Sequence, residues 1–250
     1  MGCYYMFASS GRYEPARRRE DPEVASLKDW FDRHLSMFEQ NFLLEQNDKE
    51  NPFPYLFGRG TAFAILATDC MYRATGEGRY LASMKRMVDI VLRLQRREGR
   101  REFDGNFRCD GADSFLDCQG TIILSLARAA LLLDDPRLGA AVVDGINAVK
   151  MNQGAGGQRE RGDDQIFIER RPDQPGKRDG MLWGFKAGML LRGLAAAELA
   201  ADAGRIAMDR RTRGYIRQLR AAATDYIHTP GQRRQNQCRY ARAPLLASVS

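Results

Sequence analysis

Histidine, tryptophan and lysine are scarce in this sequence: two His (His34 and His228), two Trp and six Lys among 250 residues. Neither histidine has a second His or a Cys within four positions, so a structural zinc site is not expected, and mechanisms that need a histidine base are disfavoured. The five cysteines (3, 70, 109, 118 and 238) are odd in number, irregularly spaced and without a CxxC pair. That pattern argues for reduced thiols and against a disulfide framework. No stretch approaches 18 consecutive apolar residues, which excludes a hydrophobic membrane span. The opening Met1–Met6 lacks the basic n-region and apolar h-region of a signal peptide, so the expected setting is cytoplasmic. Apolar residues at 44% and charged residues at 28% are ordinary globular composition, enough to exclude wholesale disorder.

Acidic residues are nearly missing from one end. Residues 205–250 hold ten Arg against Asp209 and Asp225, a net +8, so the whole-chain charge of +7 leaves residues 1–204 at −1. The basicity therefore belongs to one helix and a tail. No zinc-finger spacing or RNP-type aromatic motif accompanies it, and nucleic acid is not the expected partner. Gly154-Ala155-Gly156-Gly157 has neither the preceding strand nor the Lys-Ser/Thr of a phosphate loop. Ser114 and Ser125 have no paired histidine for nucleophilic chemistry.

What the chain does contain is an internal repeat. Gly60-Thr61 to Leu66-Ala67 returns as Gly120-Thr121 to Leu126-Ala127, and more loosely as Gly188-Met189 to Leu194-Ala195. An aromatic precedes each glycine by five positions: Tyr55, Phe115 and Trp183. A second signature trails each copy, ending at Leu81, Leu138 and Ile206. Each copy reads as helix, short turn, helix. The first helices (61–72, 121–133 and 189–199) are apolar nearly all round, the pattern of a helix buried on most faces. The second helices carry an apolar stripe, Leu81, Met84, Val88 and Val91 in one and Leu138, Val142, Ile146 and Val149 in another, opposite charged faces that should meet water. Gly76-Glu77-Gly78, Asp134-Asp135-Pro136 and Gly204 punctuate the turns. An earlier helix is expected from about 23 to 45, with His34 beside its apolar stripe. The only strand-like run is Gln165–Glu169. The connections at 98–116 and 151–180 are long, which in a compact helical domain points to function or disorder.

The expected fold is therefore all-α, with α-hairpin repeats forming an (α/α) toroid or an incomplete arc of one. Residues 1–21 form an extension, 22–228 the hairpin domain with repeats starting near 51, 111 and 179, and 229–250 a disordered tail. On the repeats of residues 51–227, the chain resembles the six-hairpin glycosidase-like superfamily of uronyl hydrolases, other glycoside hydrolases, sugar epimerases and the toroid domains of polysaccharide lyases. A full ring of that family has about twelve helices, and seven are counted here, roughly half a ring. Exposed edges of such an arc would call for a homodimer to cover them.

The resemblance implies a cleft lined by inner-helix N-termini and the loops leading into them. Here those loops hold four carboxylates among aromatics between Phe103 and Asp117. Glycoside hydrolysis needs two carboxyl groups, one protonated. Asp113 is the expected general acid or base, with Asp110 or Asp117 as its partner. Capping of the following helix is the competing role for Asp117, and Asp179 has the same two readings ahead of the third repeat. Tyr55, Phe115 and Trp183 are candidate sugar-stacking platforms or rim packing. Arg59 and Arg178 are candidate forks for a uronate carboxylate. The expected substrate is an acidic oligosaccharide, with no cofactor and no metal. The competing function is a non-catalytic helical-repeat scaffold, or a truncated relative that has lost catalysis.

Overall fold

The computed structural model describes residues 22–45, 57–97, 99, 104–107, 116–152, 169–170, 178–179 and 184–228. These form seven helices and one small strand pair. The helices are α1 (Pro22–Glu45), α2 (Phe57–Thr75), α3 (Gly78–Arg93), α4 (Leu116–Ala130), α5 (Pro136–Asn152), α6 (Gly184–Asp202) and α7 (Arg210–His228). The strands β1 (Glu169–Arg170) and β2 (Arg178–Asp179) pair antiparallel, Glu169 opposite Asp179 and Arg170 opposite Arg178. The described part is thus mostly helical, as the repeat requires. Of the extended run expected at 165–169, residues 165–168 lie outside the described residues and Glu169 stands in β1; its partner strand carried no alternating signal because two residues cannot alternate.

The turns follow local chemistry. Gly76, at φ 70°, ends α2 and donates its N–H to Tyr72 O. Asp135 accepts from the Arg137 N–H at the start of α5, where Pro136 supplies a fixed φ and has no N–H to waste. After α6, Gly204 at φ 72° donates to Ala201 O while Arg205 donates to Ala200 O, the paired bonds of a Schellman cap. Asp209 caps α7 by accepting from Thr212 N at 2.6 Å.

The helices lie in two rows. In the inner row α4 sits between α2 and α6. Behind it, α1 packs on α2 and α3, α3 on α2 and α4, α5 on α4, and α7 on α6 and α5. Two ion pairs show that α2 and α4 run parallel. Arg59 meets Asp117 near the start of both helices, and Asp69 meets Arg128 ten and eleven residues later, about 15 Å along each axis. The short turns at 76–77 and 131–135 consequently lie at one end of this pair, and the first turns of both helices lie at the other, the long-connection end.

Being flanked on both sides, α4 is buried at every position from Asp117 to Ala127. Its contact with α6 is made by glycine. A Cβ on Gly120 would lie 2.5 Å from Leu190 N and Cα, and one on Gly193 would run into the Gly120 carbonyl oxygen. The repeat glycine of the second copy is therefore a site of backbone-to-backbone approach, not a turn. The trailing signature also finds its reason: Leu138 and Ile206 are fully or almost fully buried, while in the first copy Tyr80, one position before Leu81, takes the buried place.

One large core unites α2–α7, and α1 joins through a separate cluster of Phe31, Met71 and Tyr80. Around that cluster Asp32 accepts hydrogen bonds from Lys28, Tyr80 and Arg79, and Glu39 accepts from Ser83 and Arg86. His34 stacks on Trp30, with ring centroids 4.5 Å apart. No described helix is long and apolar enough to cross a membrane.

Candidate functional site

At the long-connection end the first turns of α2 and α4 meet. Arg59, in the first turn of α2, donates from Nη1 to Asp117 Oδ2 at 2.9 Å, with the same nitrogen 3.9 Å from Cys118 Sγ. Asp117 is almost fully buried, while the Arg59 side chain remains 40% exposed. A carboxylate in a first helical turn is also favoured by the exposed backbone N–H groups there. α4 begins one residue earlier, at Leu116, so Asp117 stands inside the helix and not at the capping position.

Part of the first long connection is also built into the fold. Gln95 forms an antiparallel bridge with Phe107, and the Arg96 backbone exchanges bonds with Asn106 O and Gly105 N. Gln119 on α4 accepts from Phe107 N and donates to Phe107 O, so its side-chain amide stands in for a neighbouring strand. Gln95 Nε2 donates to Gly105 O and Ala141 O. Phe107 is fully buried, which contributes about 2–3 kcal/mol. Gly105 is required here: its φ is 91°, and a Cβ would strike Asp144 O.

Next to this bracket opens a groove of about 330 Å³ lined by Arg96, Arg97, Gly99, Asp104, Asp144 and Asn147. Arg97 donates to Gln95 Oε1 at 3.1 Å and lies 3.4 Å from Asp144 Oδ2. Asp104 accepts from Gly99 N. Guanidinium, carboxylate and carboxamide groups around one open groove are hydrogen-bonding partners for a polar, hydroxyl-rich ligand.

Of the residues expected from sequence, Arg59 and Asp117 are brought together, 58 residues apart and so close to the repeat period. Asp179 and Arg178 form β2, and α6 starts five residues after Asp179, so Asp179 does not open that helix. Asp113, Asp110, Phe115, Tyr55 and Trp183 lie outside the described residues. A second ion-paired carboxylate is absent from the sequence expectations. Asp69 accepts from Arg73 and Arg128 at the short-turn end. The signal that could have found it is charge within otherwise apolar helices at a separation of 59 residues, close to the repeat period. Among the described residues no group of three or more His, Cys, Asp or Glu is placed to hold a metal ion.

No family model, curated protein or solved structure matches this chain.

Proposed function

We propose that the chain is the helical-hairpin core of a carbohydrate-active enzyme, a glycoside hydrolase acting on acidic, uronate-containing oligosaccharide, with its hairpins arranged as an arc of an (α/α) toroid. The observation that carries this reading is the meeting of the α2 and α4 first turns at Arg59 and Asp117. An ion-paired carboxylate such as Asp117 suits the nucleophile or electrostatic role, which leaves the general-acid role to Asp113, with Asp110 as the other candidate partner. Arg59, 40% exposed beside Asp117, is the candidate fork for a uronate carboxylate. Tyr55, Phe115 and Trp183 are the stacking candidates, Arg178 is a second fork, and Asp179 a further carboxylate. The setting is read as cytoplasmic from the irregular, odd-numbered cysteines.

The test is a panel of uronate oligosaccharides assayed for reducing-end release with the full chain and with D113N. Cleavage lost in D113N supports the reading. Full activity in that variant removes Asp113 from the site, and no cleavage of any panel member sinks the hydrolase assignment.

One observation favours a second reading, a non-catalytic helical-repeat scaffold. Asp117 is engaged by Arg59 across α2 and α4, as a fastening would be. On that reading R59Q lowers stability by about 1–3 kcal/mol, because a buried carboxylate loses its charged donor, and no glycan binds. Self-association belongs to either reading. Phe63 on α2 and Leu199 on α6 are exposed, and a homodimer would cover such edges. Light scattering coupled to gel filtration reads this directly: a monomer at all concentrations removes the homodimer.

A further inference from the structure

We propose that the outer face of α7 is a docking strip for an acidic polysaccharide chain, separate from the groove at the long-connection end. The choice of polyanion rests on the reading above; the strip itself rests on the following geometry.

Arg210, Arg213, Arg217 and Arg220 follow one another at i, i+3, i+7 and i+10, which places them in a stripe about 15 Å long on one face of α7. The opposite face is used up. Thr212, Tyr215, Ile216 and Leu219 are buried, and the helix packs on α5 and α6. Among the described residues three carboxylates answer the arginines of this flank: Asp202 accepts from Arg213, Glu198 accepts from Arg220 with Arg217 Nε 4.0 Å away, and Asp209 interacts electrostatically with Arg211. Arg210 and Arg211 are exposed, as is Arg217 at 71%. Over residues 210–220 five arginines thus answer to three carboxylates, an excess of two guanidinium groups.

The face selects among polyanions. Among its described side chains there is no exposed aromatic on which bases could stack, since Tyr215 is buried. Guanidinium forks spaced along one helix face suit successive carboxylates of a uronate polymer.

Binding of polygalacturonate to the full chain, measured by titration calorimetry at about 50 and about 200 mM NaCl, tests this. Wild type should bind, more weakly at the higher salt. R210Q/R217Q should bind about tenfold weaker at the lower salt and show a shallower salt dependence, as expected when two charge contacts are removed. R86Q, which removes an exposed arginine from α3, should bind like wild type. The strip is overturned if wild type does not bind, if R210Q/R217Q binds equally well, if R86Q loses as much, or if duplex DNA binds as tightly as the polysaccharide. Cleavage of short uronate oligosaccharides, followed in the same proteins, reports separately on the proposed hydrolase. Cleavage retained by R210Q/R217Q alongside weakened polymer binding supports a strip distinct from that site.

Discussion

Asp69 on α2 and Arg128 on α4 meet across the inner row. Both Nε and Nη2 of the guanidinium donate to Asp69 Oδ2, at 2.9 and 2.6 Å, while Arg73 donates to Oδ1 from within α2. The carboxylate is only 2% exposed, so water cannot replace either donor. Together with Arg59–Asp117 at the other end, this pair sets the relative register of two apolar helices that could otherwise slide.

Removing Arg128 should therefore cost more than an exposed pair would. R128M is expected to destabilise by about 3 kcal/mol, because a buried charge keeps only one partner. D69L/R128M should recover much of the loss, since neither charge then remains to be desolvated. Urea midpoints of the wild type and the two variants check both statements.

The Gly120–Gly193 contact gives a prediction of opposite sign to an ordinary helical glycine. G193A should lose about 3 kcal/mol, as its methyl would displace the α4 backbone. Gly214, in α7, has nothing within 4 Å of where a methyl would stand, and G214A should gain about 0.5–1 kcal/mol by removing backbone freedom from the unfolded chain. Thermal melts of the two variants should move in opposite directions.

Acid should loosen α1. Burial by itself would raise the Asp32 pKa, but hydrogen bonds from Lys28, Tyr80 and Arg79 outweigh it and hold the carboxyl below its ordinary range. A depressed folded-state pKa means that Asp32 contributes stability above its unfolded value, near ~3.9, and that the contribution fades as pH falls through that value toward the folded one. Urea midpoints for wild type and D32N should differ at neutral pH and converge on acidification. A constant gap down to the acid limit would remove Asp32 from the pH response.

Cys70 should be slow to react. Burial, and then the charge of Asp69, push its thiol up to about 11, so little thiolate exists at neutral pH. Alkylation mapped by mass spectrometry at mildly alkaline pH should leave Cys70 and the buried Cys118 unmodified in the folded chain and modify both in urea. Rapid native labelling of Cys70 would contradict the burial that sets its pKa.

The helices were legible because the information for them is local. The apolar stripe from Met84 to Val91, the all-apolar run after Gly120, Pro136 after Asp135 and the glycine at 204 each fix structure within a few residues, and seven helices follow. The division into buried first helices and amphipathic second helices was legible for the same reason. Partnership across helices was not. Nothing near Arg59 in sequence names Asp117, nothing near Gly193 names Gly120, and Gln119 gives no sign that its amide will complete the backbone bonds of Phe107. Those choices depend on how the helices rotate and slide against each other. Close packing decides that once, for the molecule as a whole, where backbone meets backbone and a buried charge must find its counterpart.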